Sequence, residues 1–392
     1  MIILDRSNAP HVVLTFPPEP GFPDSLAWTP DGKRLRFTTA ERSGVKLSSV
    51  SLHGDVRALY RFPEHRFLED IAPDGTMIFI AWDAVGRIGL MRPGQPSHRE
   101  LAWLGFPGIM DLSPDGRTVL FYDGPLVDPQ AVLEATDGTP PKVLGAGYPL
   151  ALSPDGRRVA MTSRDQHGLS LVPTGAGTTE EVPVSGLVVG VGQWSHDGGR
   201  LWITARQKDQ VRVQLFPVDV VSRKLLEPIA GSNVSNAPIA ISPDDQWIAA
   251  VGADGAVTVY PIQKGEPVRI SSVRADLFPN LAGWTTTGEL WVFLAGATPP
   301  RLVRVEVHSG KITQSIDLDR RQIGADEIVD VRITPDESLL AVEYGVWRGP
   351  ARADEGHPGR PLTSTGAGSG GMTRSTDLAY SRSRPRRGGS SS

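Results

Sequence analysis

Eight copies of one turn signal, spaced forty to forty-nine residues apart, run through this chain of 392 residues. They read Thr29-Pro30-Asp31-Gly32, Ala72-Pro73-Asp74-Gly75, Ser113-Pro114-Asp115-Gly116, Ser153-Pro154-Asp155-Gly156, Ser195-His196-Asp197-Gly198, Ser242-Pro243-Asp244-Asp245, Thr285-Thr286-Thr287-Gly288 and Thr334-Pro335-Asp336-Glu337. A fixed period of this length marks a repeat architecture. Each residue type has a reason to recur. Pro presets φ at the second position of a type I turn, Asp suits the third, and Gly takes positive φ without a Cβ penalty. The Ser or Thr hydroxyl can accept a local backbone N–H. A type I turn with a following left-handed residue closes a short β-hairpin.

The flanks agree with strands. Leu26 and Trp28 precede the first turn and Leu35 and Phe37 follow it, a period of two. Met77 to Ile80 and Leu290 to Phe293 are apolar at successive positions, which suggests burial on both faces. Helical solenoids have similar periods, but 43 glycines and 34 prolines argue against them, because both residues are costly inside helices. Between successive turns lies a second, weaker hairpin, as at Val257 to Tyr260, Lys264-Gly265-Glu266 and Val268 to Ile270. Two hairpins per period give the four antiparallel strands of one propeller blade. The expected fold is therefore an all-β propeller of four-stranded antiparallel blades, eight in number, with seven as the alternative if one signal serves as a loop.

The ends of the repeat region suggest closure. Residues 2 to 14 resemble the second hairpin of a blade, and the last signal carries a first hairpin (Val331 to Ile333, Leu339 to Val342) with no convincing second one. A clasp between residues 2 to 14 and 328 to 344, with N-terminal strands closing the last blade, would hide exposed strand edges.

Composition sets further bounds. The propeller is expected over residues 1 to 349. Residues 350 to 392, with seven arginines against three acidic residues and long Gly/Ser runs, are expected to form a disordered low-complexity basic tail. A formal net charge of −4 gives no reason to expect nucleic-acid binding. No stretch approaches the roughly 20 apolar residues of a membrane span, and no signal peptide is visible at the start, which points to the cytoplasm. Zero cysteines exclude disulfides, thiolate zinc sites and a cysteine nucleophile.

Chemistry is sparse. There is no Gly-x-Ser-x-Gly elbow. The eight histidines (His11, His53, His65, His98, His167, His196, His308, His357) are scattered, with no His-x-x-x-His pair, and read as loop or surface residues. Asp31, Asp74, Asp115, Asp155, Asp197, Asp244 and Asp336 look like a carboxylate array, yet their turn role explains them. Asp317-Leu318-Asp319 with Gly324, Asp326 and Glu327 departs from calcium-loop spacing and reads as a solvated connection. Phe16 to Pro23 is Pro-rich and reads as a stiff linker. No catalytic, cofactor-binding or metal-binding residue is assigned, and no cofactor is expected.

The recurring Ser-Pro-Asp-Gly turn, followed by a basic residue and an apolar strand, resembles the WD40-like, or PD40, repeat of TolB-type β-propellers. Arg99 to Trp103 running into Asp111 to Phe121, then Leu150 to Gly156 and Leu171 to Gly177, resemble the propeller that follows the kinase domain in many bacterial serine/threonine protein kinases. The resemblance covers about residues 1 to 345. The missing chemistry is consistent with a noncatalytic sensor or protein-interaction scaffold, expected as a monomer that binds a protein or small ligand over one face or at the mouth of the central channel. The resemblance implies the detached or truncated regulatory half of such a kinase, periplasmic if part of a membrane-anchored protein. No kinase signature is present. After Glu343-Tyr344-Gly345-Val346-Trp347 the chain departs from the pattern, as a shifted reading frame would produce. An enzyme with its site in the propeller channel is the alternative.

Overall fold

The structure is a computed structural model, and it describes residues 2–347 apart from 5–9, 16–22, 42–43, 64, 83, 94, 96–97, 102–106 and 125–127. The expected tail, His357 and the Pro-rich linker, all but its last residue Pro23, lie outside the described residues. All the long elements are strands, joined by turns and two short 3-10 segments. They form antiparallel sheets, and the fold is a β-propeller.

β1 (Ile2–Leu4) and β2 (Pro10–Val12) pair only with each other among the described residues. β3 (Pro23–Trp28), β4 (Arg34–Glu41), β5 (Gly44–Ser51) and β6 (Val56–Phe62) make a four-stranded sheet, followed by the two-stranded pair β7 (His65–Ile71) and β8 (Met77–Trp82). β9 (Ala84–Met91) and β10 (His98–Glu100) come next. Five regular four-stranded sheets then succeed one another. They are β11 (Gly108–Leu112) to β14 (Lys142–Ala146) through β12 (Thr118–Asp123) and β13 (Gln130–Ala135), and β15 (Tyr148–Leu152) to β18 (Glu180–Val182) through β16 (Arg158–Thr162) and β17 (Leu169–Pro173). The third runs from β19 (Leu187–Trp194) through β20 (Arg200–Gln207) and β21 (Gln214–Asp219) to β22 (Lys224–Leu225). The fourth comprises β23 (Ala240–Ile241), β24 (Trp247–Val251), β25 (Val257–Pro261) and β26 (Val268–Arg269), and the fifth β27 (Pro279–Trp284), β28 (Leu290–Leu294), β29 (Arg301–Val305) and β30 (Ile312–Asp317). Last come β31 (Glu327–Ile333) and β32 (Leu340–Trp347).

All eight turn signals close the first hairpin of a sheet, so none serves as a loop. In every one the fourth residue donates its N–H to the carbonyl of the first, at 2.8 to 3.1 Å, as in Gly116 to Ser113 and Glu337 to Thr334. The turn aspartates do what their positions imply. Asp115, Asp155 and Asp197 accept from the preceding Ser hydroxyl at 2.6 to 2.7 Å and from the N–H two residues on.

The eight turns thus produce eight sheets, and strands from the N-terminal part of the chain do complete the last one. The clasp, however, is not made by residues 2–14. β32 pairs along its whole length with β9, from Leu340 opposite Met91 to Trp347 opposite Ala84, giving the sheet order β10-β9-β32-β31. The reason lies in the chain between β8 and β9. A single residue separates them, fewer than the two that the tightest common hairpin needs, so β9 leaves β8 and runs on into another sheet. An eight-residue ladder with β32 then outcompetes the three-residue β1. Val13, just after β2, instead packs with Leu35, Phe37 and Val50 on the β3–β6 sheet.

Closure by β9 defines a ring of six sheets, each joined to the next by its own buried cluster. Leu90 and Ala341 of the closing sheet meet Val119 and Phe121. Leu120 and Ala131 meet Val159 and Met161. Leu169 and Leu171 meet Leu201 and Val218. Trp202 and Leu215 meet Ile248 and Tyr260, Val257 and Val259 meet Leu290 and Val292, and Trp291 and Phe293 meet Val331 and Val342. Each fully buried Val, Leu, Ile, Phe or Met among them contributes about 1.5–3 kcal/mol. The middle strands are Val-, Ile- and Leu-rich because they are covered on both faces. The β3–β6 sheet and the β7–β8 pair form a separate stack on Ala27, Leu47, Leu68 and Ile71, and the Leu68 N–H donates to the Ser25 hydroxyl at 2.7 Å.

Candidate functional site

The inner strands of all six ring sheets line one cavity of about 630 Å³. This is within the usual size range of small-molecule sites, roughly 300–1,000 Å³. Its wall includes Asp111 and Tyr122, Leu150, Val191 and Gln193, Pro238 and Ile239, Asn280 and Trp284, and Asp330, Arg332 and Glu343. The inner strands reach it through bulges, which re-aim side chains. The register slips between Ile109 and Asp111 in β11, and between Ile328 and Asp330 in β31.

The charged part of the wall is built where the ring closes. Asp330 on β31 stands directly opposite Glu343 on β32. Like charges so placed repel. Arg332 Nη1 relieves this by sitting 2.8 Å from Asp330 Oδ1, and it also donates to the Val331 carbonyl at 3.0 Å. Glu343 crosses to the neighbouring sheet, where its Oε2 accepts the Ile109 N–H at 2.8 Å. Asp111 holds the next junction, accepting the Leu112 N–H with one oxygen and the Leu152 N–H with the other, both at 2.9 Å.

Burial governs the electrostatics here. It pushes the Glu343 carboxyl up to about 8, with the Asp330 charge adding to the rise and the Ile109 N–H and Arg332 opposing it. Asp111 is pushed up to about 6 for the same reason, its two backbone donors and Arg332 working the other way. Tyr122 rises to about 12, through burial first and then the charge of Glu343. Its ring lies across Gly108, where a Cβ would come within 2.3 Å of the Tyr122 Cζ, so position 108 admits only glycine while the ring stays there. Tyr148 meets Tyr122 edge-on at 5.5 Å.

The turn-based reading of the sequence does not reach these residues. Asp111, Asp330, Arg332 and Glu343 each interrupt an otherwise apolar strand, in Gly-Ile-Met-Asp-Leu, Ile-Val-Asp-Val-Arg-Ile and Leu-Ala-Val-Glu-Tyr, and that interruption is the signal that marks them. The turn aspartates stay at the turns. Of the histidines, His196 both lines the cavity and contacts Asp245, and His167 Nδ1 lies 3.0 Å from the Leu187 carbonyl. The acidic connection resolves into structure: Asp319 caps the 3-10 turn Arg320–Ile323, which ends at Gly324 with φ +66°, while Asp317 pairs with Arg301 at 2.7 Å. Among the described residues, no group of three or more His, Asp or Glu side chains is arranged to hold a metal ion.

One comparison accords with the propeller. A family model described as the lipoprotein LpqB beta-propeller domain matches residues 217–342, about a third of the chain. No curated protein matches. Among solved structures, a nidogen/laminin complex shares 12% identity over 60% of this chain and 95% of that chain, with a TM-score of 0.47. The hydrazine synthase of Kuenenia stuttgartiensis shares 13% over 83% and 95%, with a TM-score of 0.48, and TolB from Acinetobacter baumannii 13% over 78% of each chain, at 0.41. No helix among the described residues is long and apolar enough to cross a membrane.

Proposed function

We propose that this chain is a noncatalytic sensor or protein-interaction propeller that receives its ligand or partner at the channel where the six inner strands converge. The carrying observation is how the wall uses its charges. Asp111 and Glu343 hold backbone N–H groups of neighbouring strands, and Arg332 holds Asp330. Groups fixed in this way rigidify and polarise a cavity wall, as a receptor site requires. Ligand occupancy would bridge sheets that meet at the ring closure, which gives binding a direct influence on how firmly β9 stays on β32. On this reading, and in line with the resemblance to kinase-linked propellers, the chain is the regulatory half of a bacterial serine/threonine kinase. Its compartment is then cytoplasmic when free and periplasmic when part of an anchored kinase.

The test is a thermal-shift screen of metabolites and peptides, run beside a broad hydrolase and lyase turnover screen. Wild type and Gln193→Trp, which fills the channel, are compared. Ligands that stabilise wild type but not the filled variant are expected, without turnover. Turnover that Gln193→Trp abolishes would replace the sensor reading with an enzyme.

A further inference from the structure

The β3–β6 sheet and the β7–β8 pair are built like members of the ring, yet they stand outside it. Sheets in the ring are apolar on both faces and covered on both. The two outer faces of the stack are apolar and bare. On β3, Leu26 and Trp28 are 49% and 43% exposed, on the face they share with their cross-strand partners Phe37 and Leu35. On β8, Ile78 and Ile80 are 51% and 50% exposed, opposite the face where Met77 and Phe79 pack with Ala27 and Leu47 of the neighbouring sheet. Ile78 pairs with Asp70 as Leu120 pairs with Asp111, and Leu120 is fully buried against the next sheet.

Two independent features point the same way. Asp70 repeats only half of the bonding of Asp111. One of its oxygens accepts the following N–H, from Ile71 at 2.8 Å, as Asp111 does from Leu112. The other Asp111 oxygen reaches the Leu152 N–H of the next sheet, whereas the other Asp70 oxygen meets no donor among the described residues. The second feature is the open edge of β8. It pairs with β7 alone among the described residues, and Met-Ile-Phe-Ile-Ala-Trp carries no charge or proline to protect it. The strand placed to extend this sheet is β9, one residue away and held by β32.

We infer that this chain has a second ring closure, in which the stack is inserted at the seam between the closing sheet and the β11–β14 sheet. β9 passes from β32 to β8, with Ala84 and Val85 leaving the ladder to give the new hairpin its turn. Ile78 and Ile80 then pack on the β11–β14 sheet, and Leu26 and Trp28 on β31 and β32. Eight sheets surround a wider channel. The six-sheet form keeps the eight-residue ladder of β9 with β32, and the eight-sheet form covers both bare faces, so each closure satisfies what the other leaves open. The seam that must part is the one bridged by Glu343 and the Ile109 N–H, which ties the width of the channel to the closure.

The test is thiol labelling with Ellman's reagent on the full chain, which has no cysteine of its own. Leu26→Cys and Ile78→Cys report the two outer faces, and Val211→Cys, at a position 97% exposed, is the control. The control is expected to label in one fast phase. Leu26→Cys and Ile78→Cys should each show a slow phase of the same fraction and the same rate, because insertion covers both faces in one step. Adding Ile80→Lys, at a half-exposed position of the six-sheet form, should shrink the slow fraction at Leu26→Cys about fivefold or more, although the two positions lie on opposite faces of the stack. Single fast phases at both sites, unequal slow fractions, or an unchanged slow fraction in the folded Leu26→Cys, Ile80→Lys protein would overturn the second closure. A slow fraction that grows with protein concentration would overturn it too, by assigning the cover to a contact between copies.

Discussion

His196 Nδ1 lies 2.9 Å from Asp245 Oδ1, and the His196 backbone N–H donates to the same carboxylate. The two residues are the departures of adjacent repeats from the turn pattern, His where the fifth turn would carry Pro and Asp where the sixth would carry Gly. Replacing Pro frees an N–H, and the next turn supplies its acceptor, while Asp245 takes φ +54° at the glycine position. A similar exchange joins the last two turns, where the N–H of Thr286 donates to the Pro335 carbonyl at 3.0 Å. His196→Ala is expected to cost about 1 kcal/mol, the typical worth of such hydrogen bonds. The double variant His196→Pro with Asp245→Gly should recover most of that loss, because it restores the pattern and removes the strained φ. A double-mutant cycle by urea denaturation reads the coupling, and strictly additive effects would contradict it.

Gly116→Val tests the turn geometry. Gly116 has φ +67°, and an added Cβ would also come within 3.2 Å of Leu339 and 3.3 Å of Thr334, at the eighth turn. A cost of about 2 kcal/mol or more is expected, from the left-handed backbone and the crowding together. Gly156 has nearly the same φ, +69°, with open space around it, so Gly156→Val should cost less. Equal melting temperatures for the two variants would show that crowding between turns contributes nothing.

The channel carboxylates make stability fall as pH rises. Glu343 goes from an ordinary value of 4.5 to about 8 on folding, so its protonated form stabilises the native state. That contribution is complete below about 4.5 and is lost as pH climbs to 8, and Asp111 adds a loss between 3.8 and about 6. The turn aspartates act oppositely: the hydroxyl of Ser113 lowers Asp115, so its contribution is present above 3.8 and lost in stronger acid. Melting temperature should decline from pH 5 to 8 in wild type, by a few kcal/mol at most in stability, and much less in Glu343→Gln. Parallel profiles for the two proteins would be inconsistent with a buried, protonated Glu343.

Ring closure is open to a direct chemical test because the chain has no cysteine. Val85 and Val346 are cross-strand partners on β9 and β32. Val85→Cys combined with Val346→Cys should form an intramolecular disulfide under oxidation and raise the melting temperature, since the crosslink ties strands about 260 residues apart. Free thiols at both positions after oxidation of the folded protein would place β9 elsewhere.

The local order of this protein is written in its sequence. Turn type, hairpin position and strand period follow from Pro, Asp, Gly and alternating apolar residues, whose preferences are set by the backbone within a few bonds, and so the eight hairpins could be placed from residues 29 to 337 alone. Ring closure could not. Whether β32 takes β1 or β9 as partner is a competition between distant strands, settled by ladder length and by the single residue between β8 and β9. The channel site follows from that outcome: Asp111 and Glu343 are ordinary strand residues until closure sets Ile109 against β32 and buries both carboxyls, and burial is a property of the assembled ring.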